Sequence, residues 1–189
     1  MNVHSLLRSA ESVRALDPPA DRAAETVERV LGGRAVGRAL RGSWLGHPVH
    51  PLLVFLPLGS WMTALLFDIG LRDRTTARRL LAVGLAAAPP TALAGWAEFP
   101  LLNREQRRVG LLHAVVNGVA IGLFALAYRA HGKEHHRRAT VLTVLALLIV
   151  SVGGSLGGHL SYAQGAGVHR WQAPHHGGDL ASYALGRAA

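Results

Sequence analysis

Residues 46–71 read GHPVHPLLVFLPLGSWMTALLFDIGL, and the apolar run that begins at Pro51 decides the fold. A helix needs about 20 predominantly apolar residues to cross the hydrocarbon core of a bilayer. Three further runs of comparable length follow, so the sequence predicts membrane-spanning helices at about residues 51–71, 80–102, 109–128 and 140–160. We therefore expect an integral membrane protein.

The connections between these runs are short and basic: RDRTTARR at 72–79, NREQRR at 103–108 and RAHGKEHHRR at 129–138. Links this short make neighbouring helices antiparallel. The predicted fold is therefore all-α, an antiparallel four-helix transmembrane bundle at residues 46–162. Small residues that let helices approach closely should mark the helix contacts. These are Gly118, Gly122, Gly153, Gly154, Gly157 and Gly158, and Pro57, Pro89 and Pro90 fall inside the predicted helices.

The two ends of the chain differ from the bundle. Residues 1–45 contain no long apolar run, so we expect no cleavable signal peptide there. The apolar residues Ala23, Val27, Val30 and Leu31 recur at helical spacing among charged neighbours. This pattern predicts an amphipathic helical segment on the membrane surface. Residues 163–189 are glycine-rich, and we expect a flexible, histidine-containing tail.

The composition fits a membrane protein and excludes several kinds of site. Half of the 189 residues are apolar, 16% are charged, and the formal net charge is +9. The basic residues flank the apolar runs without an aromatic platform for bases, so we expect no nucleic-acid partner. The chain has no cysteine, which excludes disulfides, thiolate metal sites, covalent c-type haem and an iron–sulfur cluster held by this chain.

Orientation follows only weakly from the distribution of Lys and Arg. The loops at 72–79 and 129–138 carry eight, and the opposite face carries seven, between residues 34 and 41, between 104 and 108, and at 170. A difference this small does not select an orientation by the positive-inside rule. Because the eight lie in tight loops, we expect both termini outside the cytoplasm.

The alternating helices bring ligand-capable side chains to one membrane face. From the first to the fourth helix these are His47 and His50, Glu98, His113, and His159. Asn117 lies one turn beyond His113 on the same helix face. Imidazole is a common ligand of haem iron, zinc, copper and non-haem iron. The sequence therefore predicts a haem or metal site at this end of the bundle.

The other end offers less. Asp68 should cap its helix or pair with the arginines that follow it. The remaining histidines of the loops and the tail are expected to be solvated: His131, His135, His136, His169, His175 and His176.

The blocks LRGSWLGHPVHPLLVFLPLG (40–59), AGWAEFPLLNREQRRVGLLHAVVN (94–117) and GGSLGGHLSYAQGAGV (153–168) carry a family resemblance. They resemble the hallmark blocks of an uncharacterised bacterial family of four-helix membrane proteins, domain of unknown function 2231. Members of one branch are often fused to, or encoded with, a Rieske iron-sulfur domain. The resemblance implies a multi-pass protein of the bacterial plasma membrane in a respiratory electron-transfer setting.

The same polar positions are marked by the resemblance: His47, His50, Glu98, His113, Asn117 and His159. For haem b, we expect His113 and His159 as ligands beside Asn117, with Arg108 pairing with a propionate. For a transition-metal ion, the expected ligands are His47, His50, Glu98, His113 and His159.

The predicted function is a haem- or metal-binding redox accessory subunit of an electron-transfer system. A Rieske or other respiratory electron-transfer protein would be its partner, and the chain could form a homo-oligomer. The alternatives are a cofactor-free membrane scaffold or assembly protein, and a small ion or solute permease. No hydrolase or phosphate-binding motif is present, so we assign no catalytic residue and lean against enzymatic activity.

Overall fold

A computed structural model describes residues 3–33 and 35–168, and this part of the chain is helical, without strands. Its α-helices are α1 (Val3–Glu11), α2 (Asp17–Leu31), α3 (Ala35–Leu40), α4 (His50–Leu65), α5 (Arg74–Glu98), α6 (Arg104–Gly132) and α7 (His136–Gly158). The part of the predicted tail from residue 169 onward lies outside the described residues.

Four helical segments are long and apolar enough to cross a membrane: His50–Gly70, Arg74–Leu101, Arg104–Gly132 and His136–Ala163. The first and last end in π-helical turns, Leu66–Gly70 and His159–Ala163. All four overlap the predicted spans, and the prediction of an all-α four-helix membrane protein is confirmed. The last three are longer than the apolar runs, because polar residues at the ends continue the helix.

Side-chain caps start the second and third spans abruptly. Asp73 accepts a hydrogen bond from the backbone N–H of Thr76 at 2.9 Å and another from its hydroxyl at 2.6 Å. These hydrogen bonds hold the pKa of Asp73 below its ordinary value. Asn103 and Gln106 form a reciprocal capping box at the start of α6. Such caps allow the connections before α5 and α6 to be only a few residues long.

The bundle consists of two hairpins, α4 with α5 and α6 with α7, within which the packing is closest. The hairpins meet along α5 and α6 and along α4 and α7. In the core, the rings of Trp61 and Phe124 stack with centroids 4.0 Å apart. Gly84 makes room for the indole, since a Cβ there would lie 2.2 Å from Trp61 Nε1.

The prolines and glycines match their predicted places only in part. Pro57, Pro89 and Pro90 lie inside helices, as predicted. Gly153 and Gly157 lie at a helix contact, where a Cβ would come within 3 Å of a side chain of α6. The prediction was wrong for Gly118, Gly122, Gly154 and Gly158, where an added Cβ would meet nothing within 4 Å in the described part. These glycines lie on helix faces that turn away from the neighbouring helices.

Residues 3–31, here called the N-terminal cap, pack on the end of the bundle. Ala10 of α1 belongs to one apolar cluster with Val109 and Leu156. On α2, Ala20 and Ala24 are buried against Phe99. The predicted amphipathic segment is helical, and its small apolar residues contact the protein.

Candidate functional site

His50 and His113 approach each other across the diagonal of the bundle. Nδ1 of His50 lies 2.8 Å from the carbonyl oxygen of Thr91 on α5, and Nδ1 of His113 lies 2.8 Å from that of Gly153 on α7. Because a carbonyl can only accept, each Nδ1 carries a hydrogen, and in the neutral ring the lone pair lies on Nε2. The ring centroids are 6.2 Å apart, with the planes at 78°. Two imidazoles of fixed tautomer therefore meet in the bundle.

Glycines on the neighbouring helices make room for these rings. A Cβ at Gly95 would lie 2.9 Å from His50 Nδ1, and one at Gly157 would lie 2.9 Å from His113 Cε1. Each imidazole thus packs directly against the backbone of the helix to which it donates its hydrogen bond. This packing fixes the ring orientation as well as the tautomer.

Asn117 lies beside His113 but does not donate a hydrogen bond to the lone pair in the plane of the ring. Its Nδ2 donates to the carbonyl oxygen of His113 at 2.8 Å. The same Nδ2 is 3.3 Å from both Nδ1 and Nε2 of the ring. An atom equally far from both nitrogens lies over the ring face, since a hydrogen bond in the ring plane to one nitrogen would leave the other distant. The Nε2 lone pair of His113 therefore stays available.

His159 is directed to the N-terminal cap. Its Nε2 lies 2.6 Å from Oε1 of Glu11, and its side chain is only 3% exposed. The predicted haem pair of His113 and His159 would require this contact to break. Glu98 lies half-buried at the end of α5, and His47 is exposed in the connection before α4.

Arginines at this end are paired with carboxylates of the N-terminal cap. Arg108 makes a bidentate contact with Asp17, at 2.6 and 2.8 Å, and donates to the carbonyl oxygen of Glu11 at 2.6 Å. Arg107 pairs with Asp21 at 3.0 Å. Arg108, predicted to hold a haem propionate, thus uses its planar donors on the protein's own carboxylate.

The pair between Arg108 and Asp17 makes the docking of the N-terminal cap sensitive to acid. The hydrogen bond from Arg108 holds the pKa of Asp17 below its ordinary value of 3.8, with the nearby arginine charges acting in the same direction. Because docking lowers the pKa of Asp17, the pair contributes its full stabilisation of the docked state at pH values well above 3.8. That stabilisation is lost as the pH falls through the lowered pKa that Asp17 has in the docked state.

The opposite end holds a buried polar cluster that the sequence analysis missed in part. Asp68, 2% exposed, contacts Arg74 and the hydroxyl of Thr140, so the prediction that it pairs with a following arginine is confirmed. His131 Nε2 lies 3.6 Å from Asp68 Oδ1, and its Nδ1 lies 3.4 Å from Nδ1 of His136. The prediction of a solvated His131 was wrong, because α6 continues to Gly132 and turns this residue inward. An aspartate inside an apolar run was the signal for this cluster.

Among the predicted metal ligands, the structure brings the rings of His50 and His113 together, and it directs His159 to Glu11. Within residues 3–33 and 35–168, no three His, Cys, Asp or Glu side chains are grouped as they would need to be to hold one metal ion. The two histidines would therefore supply part of a coordination sphere, and the metal and haem assignments stay predictions.

The four spans and this polar end are the region that a known family shares. The family model described as "Predicted membrane protein (DUF2231)" matches residues 46–170, which is more than half of the chain. Neither the search of curated proteins nor the search of solved structures gave a match. The matched residues include all four apolar helices together with His50 and His113. The chain therefore belongs to the DUF2231 family of predicted membrane proteins, and it is a multi-pass membrane protein.

Proposed function

We propose that this protein binds a transition-metal ion through His50 and His113, and serves as an accessory membrane subunit of an electron-transfer system. The carrying observation is that each Nδ1 donates to a backbone carbonyl, so that Nε2 is the nitrogen of each neutral ring that can bind a metal. Metal-binding histidines characteristically donate their other ring N–H in this way, which fixes the tautomer and makes the ligating nitrogen more basic.

The separation of the rings supports a shared ion. A metal held about 2.1 Å from a ring nitrogen lies about 3.2 Å from the ring centroid, so two imidazoles on one ion have centroids about 5–6.4 Å apart. The 6.2 Å between His50 and His113 is in this range. The remaining coordination positions would be open to water or a partner.

The electron-transfer setting rests on a different observation. The HPVHP and GGHLSY blocks resemble the family, and the LDPPADRA segment at residues 16–23 resembles the surface stretch of one branch whose members often accompany a Rieske iron-sulfur domain. A metal site supported by two imidazoles, on a chain without cysteine, suits a copper or iron centre with nitrogen ligands. A respiratory electron-transfer protein would be the partner.

The orientation that we propose places the loops at 72–79 and 129–138 in the cytoplasm and both termini outside. At the cap end, Arg41, Arg107 and Arg108 each have a carboxylate partner. Of the Lys and Arg residues in the two loops, only Arg74 has a carboxylate partner among the described residues. Unpaired basic side chains beside a membrane helix are attracted to the anionic cytoplasmic leaflet.

The test of the metal site uses detergent-purified protein without a polyhistidine tag, with the three tail histidines replaced by Ala. Cobalt(II), copper(II) and zinc(II) are titrated in turn, with absorption spectra for the first two and elemental analysis for all three. We expect one tightly bound ion of at least one of these metals per chain. His50→Ala and His113→Ala should each weaken its binding at least tenfold, because either loses a ligand.

His47→Ala is the matched control, since it removes an exposed histidine only three residues from His50. It should leave the affinity unchanged. Equal binding by all three variants would place the ions on exposed histidines and overturn the proposal. No tight binding in the parent protein would overturn it too, and would favour a scaffold in which the imidazoles only join neighbouring helices.

A further inference from the structure

A groove of about 650 Å³ opens on the surface where α7 begins, at the end of the bundle away from the N-terminal cap. His135, His136, Arg137 and Arg138 line it in the first turn, and Val141 and Leu142 line it one turn further along α7. At 1.5 Å per residue, Leu142 lies about 9 Å deeper along the span than His136. The lining thus changes from basic to apolar over the depth at which a bilayer changes from headgroup to acyl chain.

Among the described residues, the positive charge of the groove is neutralised only in part. Arg137 and Arg138 are exposed, and neither has an ion-pair partner among the described residues. Glu134 also lines the groove and is exposed, so it offsets only part of the two guanidinium charges. This differs from the cap end, where Arg107 and Arg108 are held by cap carboxylates.

We infer that this groove binds the headgroup of an anionic phospholipid. A guanidinium matches the paired oxygens of a phosphate, and two of them side by side suit a phosphodiester at the membrane surface. Val141 and Leu142 would contact the first carbons of the acyl chains. Basic pockets beside membrane helices take anionic headgroups for this combination of charge and depth.

The apolar part of the lining favours a lipid over free phosphate. Inorganic phosphate would use the arginines alone and would gain nothing from Val141 and Leu142. A lipid fills both parts of the groove, and its glycerol backbone lies at the level where they join. The groove therefore distinguishes an anionic lipid from a zwitterionic one by charge, and a lipid from a free ion by apolar contact.

The experiment compares lipid binding by native mass spectrometry of the full chain in detergent, titrated with dioleoyl phosphatidylglycerol or dioleoyl phosphatidylcholine. We expect one phosphatidylglycerol to bind more tightly than any phosphatidylcholine. The double variant Arg137→Gln and Arg138→Gln should weaken that binding about tenfold or more. An Arg8→Gln and Arg22→Gln variant, with the same loss of charge on exposed residues of the cap, should bind as the parent does.

Equal weakening in the two double variants would show a general charge effect and overturn the site. Equal affinity of the parent for the two lipids would overturn it as well. Displacement of phosphatidylglycerol by excess inorganic phosphate at matched ionic strength would identify a free-phosphate site in place of a lipid site.

Discussion

Replacing Gly157 with Ala tests whether the ring of His113 packs against α7 as the structure places it. The added Cβ would lie 2.9 Å from Cε1 and 3.0 Å from Nδ1 of the imidazole, closer than non-bonded atoms normally approach. The ring is rigid, and its Nδ1 is bonded to the carbonyl of Gly153 at 2.8 Å. Relief of the overlap therefore requires the ring to move and to stretch this hydrogen bond. We expect a loss of about 1–3 kcal/mol in the free energy of unfolding.

Gly154→Ala is the matched control, since a Cβ there meets nothing within 4 Å in the described part of the chain. Both variants gain the same helix propensity, up to about 1 kcal/mol, so this contribution cancels when they are compared. At about 2–4 °C per kcal/mol, Gly157→Ala should unfold roughly 2–12 °C below the control. Thermal unfolding in detergent, followed by tryptophan fluorescence, measures the difference. Equal midpoints for the two variants would refute the packing of His113 against α7.

Three further predictions concern the N-terminal cap and the topology. Arg108→Gln should undock the N-terminal cap, so that a cysteine replacing buried Ala24 reacts with maleimide about tenfold faster. A cysteine replacing exposed Glu25 is the control, and its rate should not change. An unchanged rate at position 24 would contradict this role of the ion pair. Because docking lowers the pKa of Asp17, a spin label at Glu25 should become more mobile as the pH falls below 3.8, and Arg108→Gln should abolish this change. Reporter fusions after residues 42 and 165 should both report the outside compartment, and opposite compartments would overturn the four-span topology.

The four spans and the antiparallel order of neighbouring spans could be predicted from the sequence because they depend on local pattern. When four apolar runs are joined by short basic links, an antiparallel four-helix bundle is one of the few arrangements that the chain can adopt in a bilayer. The helix ends were less predictable, since polar residues such as Arg129 and His131 continue α6 beyond its apolar run. Hydropathy marks where a helix enters the bilayer, while hydrogen bonding decides where it ends.

The site was predictable in outline only. His50 and His113 could be assigned to one end of the bundle from helix direction, and the structure places them 6.2 Å apart. The partner of His159 could not be predicted, because Glu11 is 148 residues away in sequence and lies in a segment without an apolar run. His47 differs from His50 by less than one helical turn, yet it precedes α4 and is exposed. The family resemblance marks both histidines, and it does not show that His50 lies in α4 while His47 is exposed before it.

The hydrogen bonds of the two site histidines also determine when a binding site could form. His50 donates within the α4–α5 hairpin and His113 within the α6–α7 hairpin. Each hairpin therefore fixes the tautomer and orientation of its own imidazole through contacts within that hairpin. The two rings come near each other only across the interface between hairpins, where the packing is less close than within them. An ion held by both would bind the assembled bundle and neither separate hairpin. By linkage, it would stabilise the association of the hairpins in proportion to the logarithm of its concentration over its dissociation constant.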